Sequence, residues 1–188
     1  RAARDRVEAV LDTDEPVYGL NTGFGDLVDT RIPRERVADL QTNLVRSHAA
    51  GTGPELPREA VRALLLTRVN ALVKGYSGVR EVVVDHLVTL LNERVHPVVP
   101  SRGSLGASGD LAPLAHVALL LLGEGAADVE GGGASDGDGD WVPERLPGDD
   151  ALAAAGLEPL ELRAKEGLAL VNGTQLTLGL AALLVHDA

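Results

Sequence analysis

Apolar residues recur at three- and four-residue steps along most of the chain, the period of an α-helix with one buried face. Val61, Leu64, Leu65, Arg68, Val69 and Leu72 form one such stripe. Val79, Val82, Val83, His86, Leu87, Leu90 and Leu91 form a second, and Ser77-Gly78 between them supplies a turn and a cap. A third run starts at Pro33, passes through Val37, Leu40, Leu44 and Val45, and ends near Gly51. Residues 95–100 carry Pro97 and Pro100 and must run extended. A helix is predicted from near Gly109 to about Leu122, and another from Asn172-Gly173 to Ala188. That last run has no C-cap and Arg1 enters mid-helix, so both ends read as cuts in a longer chain. No internal repeat is visible.

Composition narrows the classes. Of 188 residues, 45% are hydrophobic, which excludes an intrinsically disordered protein and allows a core without disulfides. The absence of cysteine excludes thiolate metal sites and cysteine nucleophiles. Lys and Arg number 17 against 28 Asp and Glu, a net charge of −11, which argues against a nucleic-acid partner. The longest apolar stretches, 117–122 and 176–185, fall short of the ~18–20 residues that a bilayer requires, so no membrane partner is expected. No apolar stretch follows the basic first residues as in a signal peptide, and the expected location is cytoplasmic.

The charge is concentrated. Residues 128–150 hold Asp128, Glu130, Asp136, Asp138, Asp140, Glu144, Asp149 and Asp150 against Arg145 alone, −7 of the −11. With Gly131-Gly132-Gly133 and Gly137-Asp138-Gly139-Asp140 this stretch reads as an acidic Gly/Asp-rich surface insertion, a loop or irregular hairpin. It lacks the glutamate at the twelfth position that closes an EF-hand calcium loop.

Three short segments carry candidate chemistry. Tyr18-Gly19-Leu20-Asn21-Thr22-Gly23-Phe24-Gly25 holds two of the four aromatic residues with three glycines. It is either a tight turn anchored by two buried rings or a backbone that approaches a ligand closely. Glu166-Gly167-Leu168-Ala169-Leu170-Val171-Asn172-Gly173-Thr174-Gln175 is apolar up to Asn172, which is either an N-cap or a side-chain amide at a site wall. Gly103-Ser104-Leu105-Gly106-Ala107-Ser108-Gly109-Asp110-Leu111-Ala112-Pro113-Leu114 opens a helix. Ser108 can be its N-cap, with Asp110 in the first turn complementing the helix dipole. Ala107-Ser108-Gly109 also has the chemistry for backbone cyclisation. The unhindered Gly109 nitrogen bends back onto the Ala107 carbonyl carbon and one water leaves. The Ser108 hydroxyl departs as a second water, giving a five-membered ring with an electrophilic exocyclic methylene and no added cofactor.

With these residues the chain resembles the aromatic amino acid ammonia-lyases, the family that depends on 4-methylidene-imidazol-5-one (MIO). The matching stretches are the Tyr18 segment, Ser47-His48-Ala49-Ala50-Gly51, 103–116 and 165–175, in the family's order. They cover most of the chain, and the run from Gly103 to Leu114 is highly specific. The 128–150 insertion is the least family-like part. Members are considerably longer, so the resemblance is to their N-terminal portion. It implies a mainly α architecture, in agreement with the periodicity. Residues 1–188 would form the MIO-bearing part of the fumarase/aspartase-like helical fold, with little sheet and a small irregular or hairpin insertion.

The resemblance also implies roles. Ala107, Ser108 and Gly109 would form MIO, and the substrate's amine would add to the methylidene carbon from Ser108. Tyr18 matches the base that removes a β-proton. Phenols titrate near ~10 in water, so base catalysis at neutral pH needs a stabilised phenolate, a task for helix N-termini at Gly109 and Gly173. Asn172 matches a residue beside MIO and substrate. Ser47 and His48 resemble the histidine-acting members, where an imidazole substrate meets a hydrogen-bonding partner. The implied reaction is the non-oxidative deamination of L-histidine to trans-urocanate and ammonia, a carbon–nitrogen lyase step of histidine degradation. His86, His96, His116 and His186 read instead as core face, loop, helix face and terminal surface, without metal-ligand spacing. The family builds each active site from several subunits of a homotetramer, and part of its site lies in segments this chain lacks, so the isolated chain is expected to be inactive. Two alternatives remain: a phenylalanine or tyrosine ammonia-lyase or aminomutase of the same family, or an inactive helical assembly module.

Overall fold

The computed structural model describes residues 1–13, 15–105, 109–130 and 143–188. Ala107 and Ser108, and positions 131–142 of the acidic stretch, lie outside the described residues. Helix α1 (Ala2–Leu11) leads through two 3-10 turns, Gly25–Leu27 and Arg34–Arg36, to α2 (Val37–His48). Strand β1 (Thr52–Glu55) precedes α3 (Arg58–Leu72) and α4 (Glu81–Asn92). Strands β2 (Val95–Pro97) and β3 (Pro100–Arg102) lead to α5 (Leu111–Leu121). Strands β4 (Ala126–Val129) and β5 (Glu144–Pro147) precede α6 (Gly148–Ala154), α7 (Glu166–Val171) and α8 (Gln175–Asp187).

The helical stripes become the core. On α3, Ala60, Val61, Leu64, Leu65 and Leu72 are buried together with Arg68, and on α4 Val83, His86, Leu87 and Leu90 are buried. Helix α5 has almost no polar residue and is enclosed, with α2, α6 and α7 against it. Leu64, Leu65, Leu87, Leu90, Leu114 and Leu121 are fully buried, each contributing about 2 kcal/mol of apolar burial.

The extended stretch predicted at 95–100 divides between two sheets. Strand β3 pairs antiparallel with β1, and β2 joins a three-stranded antiparallel sheet in the order β2-β4-β5. In that sheet Val129 stands opposite Glu144, so 131–142 connects two paired strands. Two of the described acids beside it, Asp128 and Glu130, are paired rather than merely solvated. Arg145 bridges Asp128 and Glu55, and Glu130 binds Arg58, Arg94 and His96. His96 is therefore a buried strand residue, not the loop residue the sequence predicts, with Nε2 2.9 Å from Glu130 Oε1.

Several termini shift. Helix α5 begins with Asp110 as its N-cap, and α8 with Thr174. Asn172 is the C-cap of α7 rather than the N-cap of the next helix. Helix α7 is only six residues long and is held by a buried carboxylate. Glu166 is wholly inaccessible. It accepts bonds from Arg80 Nε at 2.8 Å, Arg80 Nη2 at 2.7 Å and the main-chain N–H groups of Arg80 and Arg163. Burial pushes its carboxyl up, but the Arg80 guanidinium and these N–H groups outweigh burial and hold it below the usual carboxylate range.

Candidate active site

In the arm ahead of α5, the Leu105 N–H donates to the Gly109 carbonyl at 2.8 Å, joining the two described residues on either side of 106–108. Gly109 has φ +70°, which favours glycine, and a Cβ there would stand a tight 3.0 Å from the Thr174 methyl. The arm meets the turn between α7 and α8: Gly109 bridges Gly173, and the Asp110 N–H donates to the Gly173 carbonyl at 3.1 Å.

Asp110 locks this junction. Its side chain is fully buried. Oδ1 accepts from Ser104 Oγ at 2.7 Å and from Thr177 Oγ1 at 3.0 Å, and Oδ2 accepts the Thr177 N–H at 2.9 Å. The sequence predicts that Asp110 serves its own helix, but α5 has no side-chain cap. The carboxylate instead satisfies an orphan N–H in the first turn of α8 and offsets the positive end of that helix. One side chain thus ties both ends of the arm to the Asn172 turn.

Asn172 is exposed, and its carbonyl accepts from Arg68 Nη1 at 3.1 Å. The same nitrogen donates to Gln175 Oε1 at 2.8 Å. Arg68 is 4% exposed, and burial draws its guanidinium down to about 10. Burial and then repulsion from Arg68 also lower the Lys165 ammonium. Arg68, which holds the Asn172 carbonyl from behind, is the part of the site that sequence reasoning missed. The only signal was an arginine inside an apolar stripe.

The Tyr18 loop is built by polar side chains rather than by two buried rings. Asn21 Oδ1 accepts the Val17 N–H at 2.7 Å and its Nδ2 donates to the Glu15 carbonyl at 2.9 Å. Tyr18 itself is 52% exposed and meets Phe24 edge-on, with ring centroids 5.9 Å apart. Gly19 beside it rests on Leu168 of α7, which places the loop one helical turn before Asn172.

His48 closes α2. Its Nδ1 lies 2.9 Å from the Leu44 carbonyl, which can only accept. In the neutral ring Nδ1 therefore carries the hydrogen and Nε2 is left as an acceptor. Ser47 Oγ donates to the same carbonyl at 2.9 Å and contacts His48 Nδ1 at 3.1 Å. Its hydroxyl thus orients His48 within the helix end. The chain then turns through Gly51, whose N–H donates to His116 Nε2 at 3.2 Å, and Gly51 abuts Gly103 at the start of the arm. His116, predicted only to face out from its helix, therefore joins the His48 loop to α5.

The structure thus brings Gly109, Asp110, Asn172 and Gly173 into direct contact. Tyr18 reaches them through α7, and His48 through Gly51 and Gly103. Among the described residues neither the Tyr18 hydroxyl nor the His48 ring hydrogen-bonds to Asn172 or Gly109. A cleft of about 460 Å³ between α3, α4 and α8 contains none of these residues. The candidate residues thus sit on the Tyr18 loop, at the end of α2, at the start of α5 and in the turn between α7 and α8.

The chain as a whole is similar to known proteins. Residues 1–188 match the family described as aromatic amino acid lyase. The chain is 64% identical over its whole length to a probable histidine ammonia-lyase of Halobacterium salinarum, of which it covers 34%. Among solved structures it is similar to tyrosine aminomutase from Streptomyces globisporus, with TM-score 0.83, 40% identity, and coverage of 99% of this chain and 32% of that one. It is also similar to histidine ammonia-lyase from Trypanosoma cruzi, with TM-score 0.80, 40% identity, and coverage of 98% and 33%. The chain spans about a third of the length of the curated relatives it matches.

Proposed function

We propose that this chain, which belongs to the aromatic amino acid lyase family, is part of a histidine ammonia-lyase that deaminates L-histidine to trans-urocanate and ammonia. The observation that carries the reading is the hydrogen bond from the Leu105 N–H to the Gly109 carbonyl, which holds together the two described residues flanking 106–108. Gly109 itself has a positive φ and lies against Thr174. These features fit a segment that condenses into MIO, for which Ala107, Ser108 and Gly109 are the precursors and no external cofactor is needed. Once formed, that group supplies an electrophilic alkene that activates the substrate's amine as a leaving group.

The remaining work falls to side chains of this chain. Tyr18, exposed on a rigid loop, removes the β-proton. His48, held through Nδ1, presents Nε2 to the N–H of the substrate imidazole, and Ser47 keeps that ring oriented. Asn172, anchored through its carbonyl, places its side-chain amide beside the reacting centre. Asp110 holds the arm against the Asn172 turn and spends its charge on α8. The full-length protein is proposed to act as a cytoplasmic homotetramer. Among the described residues no helix is long and apolar enough to cross a membrane.

The decisive experiment is mass spectrometry of the 107–109 peptide from the full-length protein, combined with product analysis. Loss of two waters and release of urocanate from histidine support the reading. An intact Ala-Ser-Gly peptide in protein that turns over histidine refutes the MIO chemistry, and an intact peptide in protein without turnover leaves a helical assembly module. The similarity to a tyrosine aminomutase at 40% identity keeps a second reading in play, an enzyme of the same family acting on another aromatic amino acid. Release of cinnamate, coumarate or a β-amino acid in place of urocanate decides for it.

A further inference from the structure

Arg68 occupies a place where a core residue of similar volume would cost less. It lies on the buried stripe of α3 between Leu65 and Leu72. Among the described residues no carboxylate offsets its burial, and its Nε has no partner. It also sits at the start of α8, where the helix end is itself positive, and it repels Lys165. An unpaired buried guanidinium of this kind is destabilising unless its hydrogen bonds serve a purpose.

Those bonds converge on one turn. Nη1 reaches the Asn172 carbonyl, an unsatisfied group at the end of α7, and the Gln175 side chain. The neighbouring Thr67 Oγ1 lies 3.0 Å from the Gln175 carbonyl and divides its one hydrogen between that group and the Ala63 and Leu64 carbonyls of α3. A Cβ on Gly173 would stand 2.7 Å from Arg68 Nη1, so the guanidinium lies directly against the turn. The front of the same turn carries the Gly173 carbonyl that accepts Asp110 N–H and the Thr174 methyl against Gly109.

We propose that Arg68 is a positioning residue for the reaction assigned above. Through the Asn172 carbonyl and the Gln175 amide it sets the turn that presents the Asn172 side chain and the Gly173 carbonyl to the reactive arm. The inference rests on that assignment for its kinetic consequence but not for its structural one.

The test compares R68M and R68K in the full-length protein by steady-state kinetics and amide hydrogen exchange. In R68M, kcat for histidine falls by about 100-fold, the scale of a small misplacement of a reacting group, and falls by a larger factor than KM rises. The amides of Asp110 and of residues 172–178 lose protection while those of α4 keep it. R68K, whose ammonium can still donate to both oxygens, recovers part of kcat and of the Asp110 protection. Wild-type kcat together with unchanged Asp110 protection in R68M overturns the proposal. If R68M does not fold, R68K and Gln175→Ala carry the same comparison, the latter removing one partner and leaving the guanidinium. A wild-type protein that does not turn over histidine, with Asp110 protection still lost in R68M, sinks the assigned reaction and keeps the positional role. An active wild type matched by R68M does the reverse.

Discussion

The Gly51 N–H donates to Nε2 of His116 at 3.2 Å, across 65 positions of sequence. The bond requires that nitrogen to be unprotonated, and burial lowers the His116 pKa and favours the neutral ring. In the unfolded chain the imidazole takes up its proton near about 6.5, and in the folded chain only at lower pH. The contribution to stability is thus complete above about 6.5 and is lost as pH falls through the folded value. Urea unfolding between about pH 7.5 and about pH 5 is expected to show a shallower pH slope for H116F than for the wild type. Equal slopes would contradict this role.

Glu166 carries the opposite charge logic in the core. Its folded carboxyl lies below the usual range, so its contribution is present above the ordinary glutamate value near about 4.3 and is lost as pH drops through the folded one. Glu166→Gln leaves Arg80 facing a neutral amide and is expected to cost about 3 kcal/mol at neutral pH. The deficit relative to the wild type should shrink toward pH 3. A deficit that does not change with pH would assign the loss to packing alone.

Asp110→Asn tests the junction of arm and turn. Both carboxylate oxygens accept hydrogen bonds; an amide keeps the Thr177 N–H bond only with its nitrogen turned toward the Ser104 and Thr177 hydroxyls, which must then accept, and it brings no charge to the end of α8. The expected loss is about 2 kcal/mol of stability, accompanied by incomplete dehydration of the 107–109 peptide. Full dehydration in a destabilised variant would separate the junction from ring formation.

Tyr18→Phe should behave in the opposite way. Among the described residues the hydroxyl makes only a long 3.5 Å contact, from the Gly25 N–H, so the melting temperature should be unchanged. Turnover should fall by about 10²–10⁴ if the phenol is the base. A drop in turnover matched by a drop in stability would point to a structural role.

His48→Leu addresses the choice of substrate. It removes the only acceptor proposed for the substrate imidazole N–H, so kcat/KM for histidine should fall by about 10²-fold or more, and the ratio of phenylalanine to histidine turnover should rise. An unchanged ratio would move the origin of specificity to another segment.

The helices were readable one by one because a 3.6-residue period is local. The stripes at 61–72 and 79–91 are the buried faces of α3 and α4, and the run opening at Gly109 starts α5 two residues later. Strand β1 left no such trace. Thr-Gly-Pro-Glu has no apolar alternation and all four residues are exposed, so it becomes a strand only because Gly51 and Gly103 are packed together beside β3. His96 was opaque for a similar reason, since its partner Glu130 lies 34 residues away.

In the candidate site the residue types alone drew attention to the segments of Tyr18, Gly109 and Asn172, because glycine-rich turns and polar residues among apolar ones are visible one segment at a time, whereas His48 entered only through the resemblance to the family. Their attachments were not visible. Asp110 spends its carboxylate on a helix 67 positions onward, and Arg68 holds a turn 104 positions onward. A hydrogen bond between distant segments depends on how helices pack, and side-chain packing leaves no period in the sequence to read.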